Sequence, residues 1–159
     1  MLSIRESDLE DIYFEKVRRI KEDIKLPERS TAGSAGYDFF AVKDAEIEPF
    51  FENHKPIMIA TGVKVKLSPS MYLMLANRSS NPGKLDLVMP GSIGIIDSDY
   101  YNNSDNEGEI FFSFYNVGDQ TRVIKKGERL GQGIIMPFIK TANDNAGGSR
   151  NGGFGSTGD

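Results

Sequence analysis

In one part of the chain apolar residues recur at nearly every second position, which is the period of a half-buried β-strand. The clearest alternation, with mostly small or charged residues between, runs through Ile57, Ile59, Val63, Val65 and Leu67. It predicts one half-buried strand. Further apolar or aromatic runs favour strands at Met71–Ala76, Ile110–Tyr115, Val42, Ile47, Ile93–Ile96, Val123–Ile124 and Ile134–Phe138.

Proline and glycine turns separate these runs, as in Asn81-Pro82-Gly83, Pro90-Gly91 and Lys126-Gly127. Many short strands joined by such turns predict an all-β sandwich or jelly-roll barrel. One helical signal precedes them. The capping-box pattern Ser7-Asp8-Leu9-Glu10 predicts a short N-terminal helix near residues 8–13.

Composition narrows the class of protein. The chain has 159 residues, enough for one domain with a real core. A net charge of −4 provides no general basic field, so we expect no nucleic-acid partner. The absence of cysteine excludes disulfides, thiolate metal sites and a Cys nucleophile. No apolar run approaches about 20 residues and no signal peptide is recognisable, so we expect no membrane contact and a cytoplasmic location.

The last residues carry the first chemical signal. The segment Arg150–Gly158 combines four glycines with a cation, an aromatic ring and two hydroxyls, and it lacks apolar periodicity. Glycine-rich backbone and Arg, Ser and Thr side chains suit a phosphate, and Phe154 offers a flat face to a base. We expect residues 142–159 to be a flexible arm that closes over a nucleotide, after a domain of residues 1–141. A plain disordered Gly/Ser tail is the alternative.

Four internal clusters also look too polar for strand packing alone. They are Gly33–Phe39 with Asp38, Asn77–Asn81 with Arg78 and two serines, Gly94–Tyr100 with Asp97 and Asp99, and Lys126–Gly133 with Gln132. Arg78 and the serines suit an oxyanion. Asp97 and Asp99, two apart on an extended segment, point to one face, so one could act as a general base. Taken singly, each cluster also reads as a polar turn.

The order and spacing of these clusters resemble the five motifs of the homotrimeric all-β dUTP pyrophosphatases (dUTPases). The matching segments are Ala35–Phe39, Arg78–Ser80, Gly94–Tyr100 with Gly108–Ile110, Gly127–Gln132 and Arg150–Gly158. The resemblance spans about residues 13–159. It implies a jelly-roll-like barrel and hydrolysis of dUTP to dUMP and pyrophosphate with Mg²⁺. That reaction limits uracil incorporation into DNA and supplies dUMP for dTMP synthesis.

The resemblance also implies roles for individual residues. Asp97 corresponds to the general base that activates water for attack on the α-phosphorus. Tyr100 packs against the deoxyribose, and Asp38 holds magnesium through water. The remaining predicted substrate contacts are Arg78, Ser79, Ser80, Gly91, Ile96, Gln132, Arg150, Phe154, Gly155, Ser156 and Thr157. In the family the site lies between subunits of a homotrimer, and one chain's tail closes a site formed by its neighbours.

The chain departs from the family pattern at several positions. Seven residues, Tyr101–Glu107, intervene after Tyr100 where one is usual, and this insertion could serve a regulatory protein partner. Gly91 stands where many members carry Asn, so base reading leans on backbone groups. Arg150 precedes Phe154 by four residues instead of five. A dCTP deaminase of the same fold and a dUTPase-fold module that mainly binds a regulator are the alternative functions.

Overall fold

The computed structural model describes residues 12–150 and 152–153. Within these ranges the chain is mostly β-strand, with two short helices, Phe50–Asn53 and Ser80–Leu85, and a 3₁₀ turn at Ser98–Tyr100. The strands are β1 Tyr13–Lys16, β2 Tyr37–Phe40, β3 Ala45–Ile47, β4 Ile57–Ala60, β5 Val63–Lys66, β6 Met71–Asn77, β7 Leu87–Val88, β8 Ile93–Asp97, β9 Phe111–Asn116, β10 Arg122–Ile124 and β11 Arg129–Pro137. The predicted all-β fold is confirmed.

A four-stranded antiparallel sheet with the order β2-β11-β6-β8 carries the candidate residues Asp38, Gln132, Ile96 and Asp97. The predicted strand Met71–Ala76 is its central strand β6, and burial alternates along it: Met71, Leu73 and Leu75 are buried while Tyr72 and Met74 are only partly covered. The sheet therefore has an inner face turned to the core and an outer face that this chain leaves partly open. A three-stranded sheet, β4-β9-β7, and the pairs β1-β5 and β10-β3 complete the domain.

Aromatic side chains from different sheets form the centre of the core. Phe39 of β2 lies with its ring centroid 5.6 Å from that of Phe112 on β9, and both side chains are fully buried. Leu73 and Leu75 of β6 belong to the same apolar cluster. This packing fixes the four-stranded sheet against β9, so the positions along its strands are rigidly defined.

The prediction of one continuous strand through residues 57–67 was wrong. The segment forms β4 and β5, which turn at Thr61 and Gly62 and pair with different strands, β9 and β1. Gly62 has φ of +71°, a conformation that glycine adopts at little cost. The Thr61 hydroxyl donates to the Ile110 carbonyl, and Glu109 accepts from the Gly62 N–H. These contacts with residues far along the chain separate β4 from β5. The local pattern of apolar residues gives no sign of them.

The two chain ends were predicted to be a helix and a flexible arm. Tyr13 is the first residue of β1, so the predicted helix does not reach it, and residues 8–11 of that prediction lie outside the described residues. Residues 141–149 are exposed and contain no helix or strand, whereas Gly152 and Gly153 are buried. The division at residue 141 stays a prediction. No helix in the described part of the chain is long and apolar enough to cross a membrane.

Candidate active site

Asp38 lies on the outer strand β2 beside Gln132 on β11, its partner in the antiparallel register. The Asp38 carboxylate accepts a hydrogen bond from the Ser30 hydroxyl at 2.6 Å and pairs with Arg129 at 3.2 Å. Gly36 lies directly against the Gln132 amide, since a Cβ on Gly36 would stand 2.2 Å from Gln132 Oε1. The glycine of the first motif therefore makes room for the amide of the fourth.

Arg78 and its two serines follow β6, and two asparagines hold that turn in place. Asn77 Oδ1 accepts from the Arg78 N–H at 2.9 Å and from Asn81 Nδ2 at 2.8 Å. The Asn81 amide also donates to the Leu130 carbonyl at 2.8 Å, which ties the turn to β11. Ser79 precedes the helix Ser80–Leu85 and is exposed.

Arg78 and Arg129 line one cavity of about 300 Å³, together with Leu85, Arg122, Val123, Ile124 and Glu128. Arg129 also reaches Asp38, so the first, second and fourth motifs meet at one end of the sheet. We call this group cluster A: Asp38, Arg78, Ser79, Ser80 and Gln132. Its one cation, Arg78, and its two hydroxyls suit a polyphosphate.

Asp97 ends β8, and the 3₁₀ turn Ser98–Tyr100 follows it. The side chains of Asp97 and Asp99 converge as predicted, although the backbone between them is not extended. Both bind Arg150, whose Nη2 donates to Asp97 at 2.6 Å and whose Nε donates to Asp99 at 2.9 Å. The Asp97 side chain remains 53% exposed, while that of Arg150 is only 8% exposed.

Tyr100 completes this second group. Its ring is buried beneath the Arg150 guanidinium, whose Cζ stands 5.7 Å from the ring centroid. Its hydroxyl donates to the Glu109 carbonyl at 2.8 Å, and burial raises the pKa of this phenol. Tyr100 is therefore neutral at physiological pH. We call this group cluster B: Asp97, Asp99, Tyr100 and Arg150.

Clusters A and B lie far apart within one chain. Register pairs Gln132 with Ala76 and Asp97 with Tyr72, so the clusters are four positions apart along β6, about 13 Å. Asp38 and Asp97 also occupy the two outer strands of the sheet, about 14 Å apart across it. Side chains do not bridge such a span, so one small site cannot use both clusters of the same chain.

Comparison with known proteins shows which family this chain belongs to. A sequence model of the dUTPase family matches residues 22–158. The chain is 44% identical, over 148 residues, to the deoxyuridine 5'-triphosphate nucleotidohydrolase of Lactococcus lactis, covering 91% of this chain and 96% of that protein.

The chain belongs to the dUTPase family.

Solved structures agree with this assignment. The crystal structure of the dUTPase from Streptococcus mutans superposes with a TM-score of 0.76 at 41% identity, over 82% of this chain and 98% of that chain. A mutant dUTPase from phage phi11 of S. aureus, whose structure is described as revealing the coordination of a structural Mg(II) ion, superposes with a TM-score of 0.68 over 86% and 97% of the chains. At 21% identity, the phage protein supports the fold alone. The predicted family, hydrolase class and dUTP-hydrolysing function are confirmed.

The side chain of the predicted substrate contact Ile96 faces the core, and the contact itself stays a prediction. Ile96 is 2% exposed and pairs with Leu73 on the core side of the sheet. It can offer a nucleotide only its backbone. Because β8 is an edge strand of this sheet, half of its backbone groups point away from β6. Gly91, with φ of +69°, forms the turn that leads into this edge.

Only part of the predicted arm lies within the described residues. Phe154, Gly155, Ser156 and Thr157 lie outside them. Arg150 is described, and it binds the carboxylates of its own chain, whereas the resemblance implied that the tail serves a site formed by its neighbours. Sequence reasoning gave Arg129 no role, and it missed the insertion residues Asp105 and Asn106, which contact the arm and Tyr100. Their positions next to motif residues were the only signal.

Proposed function

We propose that this dUTPase hydrolyses dUTP at sites shared between subunits of a homotrimer. In each site cluster A of one subunit faces cluster B of another. The separation of the two clusters on one sheet carries this proposal, because the family motifs supply a single reaction. A closed ring of identical subunits brings two different surfaces together at every contact.

The outer face of the four-stranded sheet supports an assembled state. Ile93 and Ile95 on β8 are 47% and 46% exposed. Met74 on β6 is the register partner of Ile95, Ile134 on β11 is the register partner of Met74, and both side chains are only partly covered. These side chains form an apolar surface between the positions of clusters A and B. A contiguous apolar surface on a folded domain marks a contact with another molecule.

The reaction begins with a water molecule activated by Asp97. Its half-exposed carboxylate can accept a proton while the water oxygen attacks the α-phosphorus, if the water lies about 2.6–3.2 Å away. The bond between the α-phosphorus and the bridging oxygen breaks, so dUMP forms and pyrophosphate leaves. Asp97 is the N-cap of the 3₁₀ turn that ends at Tyr100, so the base and the deoxyribose contact are placed by the same segment.

Cluster A holds the triphosphate through Arg78, Ser79, Ser80 and Gln132. The edge of β8, with Gly91 and the Ile96 backbone, reads the uracil, and Phe154 stacks on it. The γ-phosphate contacts come from the arm: Arg150, Gly155, Ser156 and Thr157. Cytosine presents a different hydrogen-bond pattern and would leave buried groups unpaired, which gives selection for uracil.

Arg150 connects the arm to the base. Its guanidinium forms ion pairs with both Asp97 and Asp99, and the anionic oxygens of a triphosphate compete for the same donors. Transfer of Arg150 from Asp97 to the γ-phosphate frees the carboxylate for water. Substrate binding and uncovering of the base are thereby coupled.

Magnesium fits the donor set as an ion held mainly by the substrate. In the described ranges no three His, Cys, Asp or Glu side chains come together to hold a metal ion. Asp38 is a single carboxylate, and one of its oxygens already accepts from Ser30. A lone carboxylate suits Mg²⁺ that keeps its waters and binds phosphate oxygens. When bound, Mg²⁺ neutralises charge on the triphosphate and fixes its geometry.

The direct test is pyrophosphate release from each of dUTP, dCTP, dTTP and UTP, with and without Mg²⁺. We expect release from dUTP alone, with Mg²⁺ required. The variant Asp97→Asn should bind a nonhydrolysable dUTP analogue and turn over about 10²–10⁴-fold more slowly, while the exposed control Asp119→Asn stays at wild-type rate. Near-wild-type turnover of Asp97→Asn would refute the assignment of the base. Ammonia release from dCTP would instead support the deaminase alternative. A regulatory partner bound through Tyr101–Glu107 stays a prediction.

A further inference from the structure

The insertion Tyr101–Glu107 folds inward against the chain. Asn103 is buried, and its amide donates to the Tyr100 carbonyl at 2.9 Å and to Asn106 Oδ1 at 2.8 Å. Its Oδ1 accepts from the backbone N–H groups of residues 105 and 106 at 3.0 and 3.1 Å. These four bonds make the insertion a defined turn with a buried hub. An exposed hairpin extension would not need them.

Asn106 reaches the hydroxyl of Tyr100. Its Nδ2 donates to the Tyr100 hydroxyl at 2.7 Å, and that hydroxyl in turn donates to the Glu109 carbonyl. Asn106 Oδ1 accepts from Asn103 and from the Gly108 N–H at 3.0 Å, which fixes which way the amide points. The phenol of Tyr100 is therefore held at both its donor and its acceptor site.

Asp105 reaches the C-terminal arm. Its Oδ2 accepts from the Gly153 N–H at 2.8 Å. Gly153 also packs against Asn106, since a Cβ built on it would stand 3.4 Å from Asn106 Nδ2. The Gly153 carbonyl lies 3.4 Å from Arg150 Nη1, so the arm residue that binds Asp97 is linked to the residue that binds the insertion.

We propose that the insertion is a positioning element for this enzyme: Asn106 fixes the Tyr100 ring against the deoxyribose, and Asp105 docks the arm of the same chain over the base. The first half rests on the proposed role of Tyr100 in the function above. The second half concerns the arm itself and is tested without measuring catalysis.

The role of Asn106 is tested by comparing Asn106→Ala, Tyr100→Phe and the double variant. Loss of the hydrogen bond between Asn106 and Tyr100 should lower the ratio of kcat/KM for dUTP over UTP by about 3- to 10-fold in Asn106→Ala, and Tyr100→Phe, which also loses the bond to the Glu109 carbonyl, should lower it at least as much. The double variant should lose no more than Tyr100→Phe alone, because the bond that Asn106→Ala removes is already lost when the hydroxyl is absent. Gln120→Ala, which removes an exposed amide elsewhere, should keep the wild-type ratio.

An unchanged ratio in Asn106→Ala, or additive losses in the double variant, would overturn this half of the proposal. If thermal unfolding finds Asn106→Ala unstable, Tyr100→Phe decides the case, because it keeps the ring and the fold. An unchanged ratio in Tyr100→Phe would also overturn this half of the proposal. A wild-type enzyme that does not prefer dUTP over UTP would instead refute the proposed function.

The role of Asp105 is tested by limited trypsin digestion of the whole protein, with products identified by mass spectrometry. Cleavage after Arg150 requires the arm to leave its dock, whereas Lys140 is exposed and serves as the internal reference. Asp105→Ala should raise the ratio of cleavage after Arg150 to cleavage after Lys140 by about 10-fold. Asp105→Asn, which keeps an acceptor oxygen, should give a smaller rise, and Asp119→Ala none. An equal ratio in Asp105→Ala and wild type would overturn the docking role.

Discussion

Asp38 and Asp97 lie on the same face of one four-stranded sheet, but on its two outer strands and four positions apart along it. Both belong to segments that match motifs of the dUTPase family, and the proposed function places both near one triphosphate. The relationship gives the shared site a sharp test, because damage to the two clusters can be placed in different subunits.

Mixing Arg78→Ala subunits with Asp97→Asn subunits should restore activity that neither variant has alone. In a random equal mixture about one quarter of the contacts join an intact cluster A to an intact cluster B, so about one quarter of wild-type turnover should return. Pyrophosphate release measures it, after mass spectrometry has confirmed subunit exchange.

Mixing Arg78→Ala with Gln132→Ala is the matched control. Both changes fall in cluster A, so no contact regains an intact site and turnover should stay low. Equal recovery in the two mixtures, or none in either after exchange, would refute the division of the site between subunits.

Truncation after Ala142 should leave a folded protein with little activity. The removed residues contribute Arg150 and Gly153 to contacts with partly exposed carboxylates, which are worth about 1 kcal/mol or less in stability. Thermal unfolding and turnover are the two measurements. Truncation after Ser149 should give the same pair of results, since residues 143–149 are exposed. A large difference between the two truncations would assign a role to that exposed segment instead of to Arg150 and the residues after it.

Gly36→Ala should displace the Gln132 amide while leaving the fold intact. The added methyl would stand 2.2 Å from Oε1 and 3.1 Å from Cβ of Gln132, so the side chain must move. A displaced phosphate contact should lower kcat/KM by about 10- to 100-fold. Gly33→Ala is the control, because a Cβ there has no heavy atom within 4 Å. Equal kcat/KM for the two variants would count against a role of Gln132 in substrate binding.

Acid should weaken a network that joins β1 to the insertion. The Tyr101 hydroxyl, with a smaller contribution from the buried Lys64, lowers the pKa of Glu15 below its ordinary value of 4.5. The charged form is thus favoured in the folded state. Its contribution to stability is fully present above about pH 4.5 and is lost as the pH falls through the lowered folded-state pKa.

The variant Glu15→Gln tests this sign. It should be less stable than wild type at pH 7, by about 1 kcal/mol or less for such a partly exposed group, and the difference should shrink below pH 4.5. Urea unfolding at pH 7 and below pH 4.5 measures this difference in stability. The exposed control Glu48→Gln should show no such convergence, and a constant difference for Glu15→Gln would contradict the prediction.

The sequence alone determined the fold class and the chemistry of the site. The alternation of Val63, Val65 and Leu67 favours a strand locally, because side chains in a strand point to opposite faces in turn. The motif residues Asp97, Tyr100 and Gln132 were recognisable because a reaction needs particular functional groups in a particular order. These properties reside in neighbouring residues or in motif spacing, so no coordinates were required.

Tertiary structure alone decided which of these residues come together. The register of β6 with β8 and β11 separates cluster A from cluster B, and register depends on packing across the whole sheet. The break between β4 and β5 depends on Glu109 and Ile110, nearly fifty residues further along the chain. The binding of Arg150 to Asp97 and of Asp105 to Gly153 likewise joins distant segments. Local patterns carry no information on such pairs, because their energies arise only after the chain has folded.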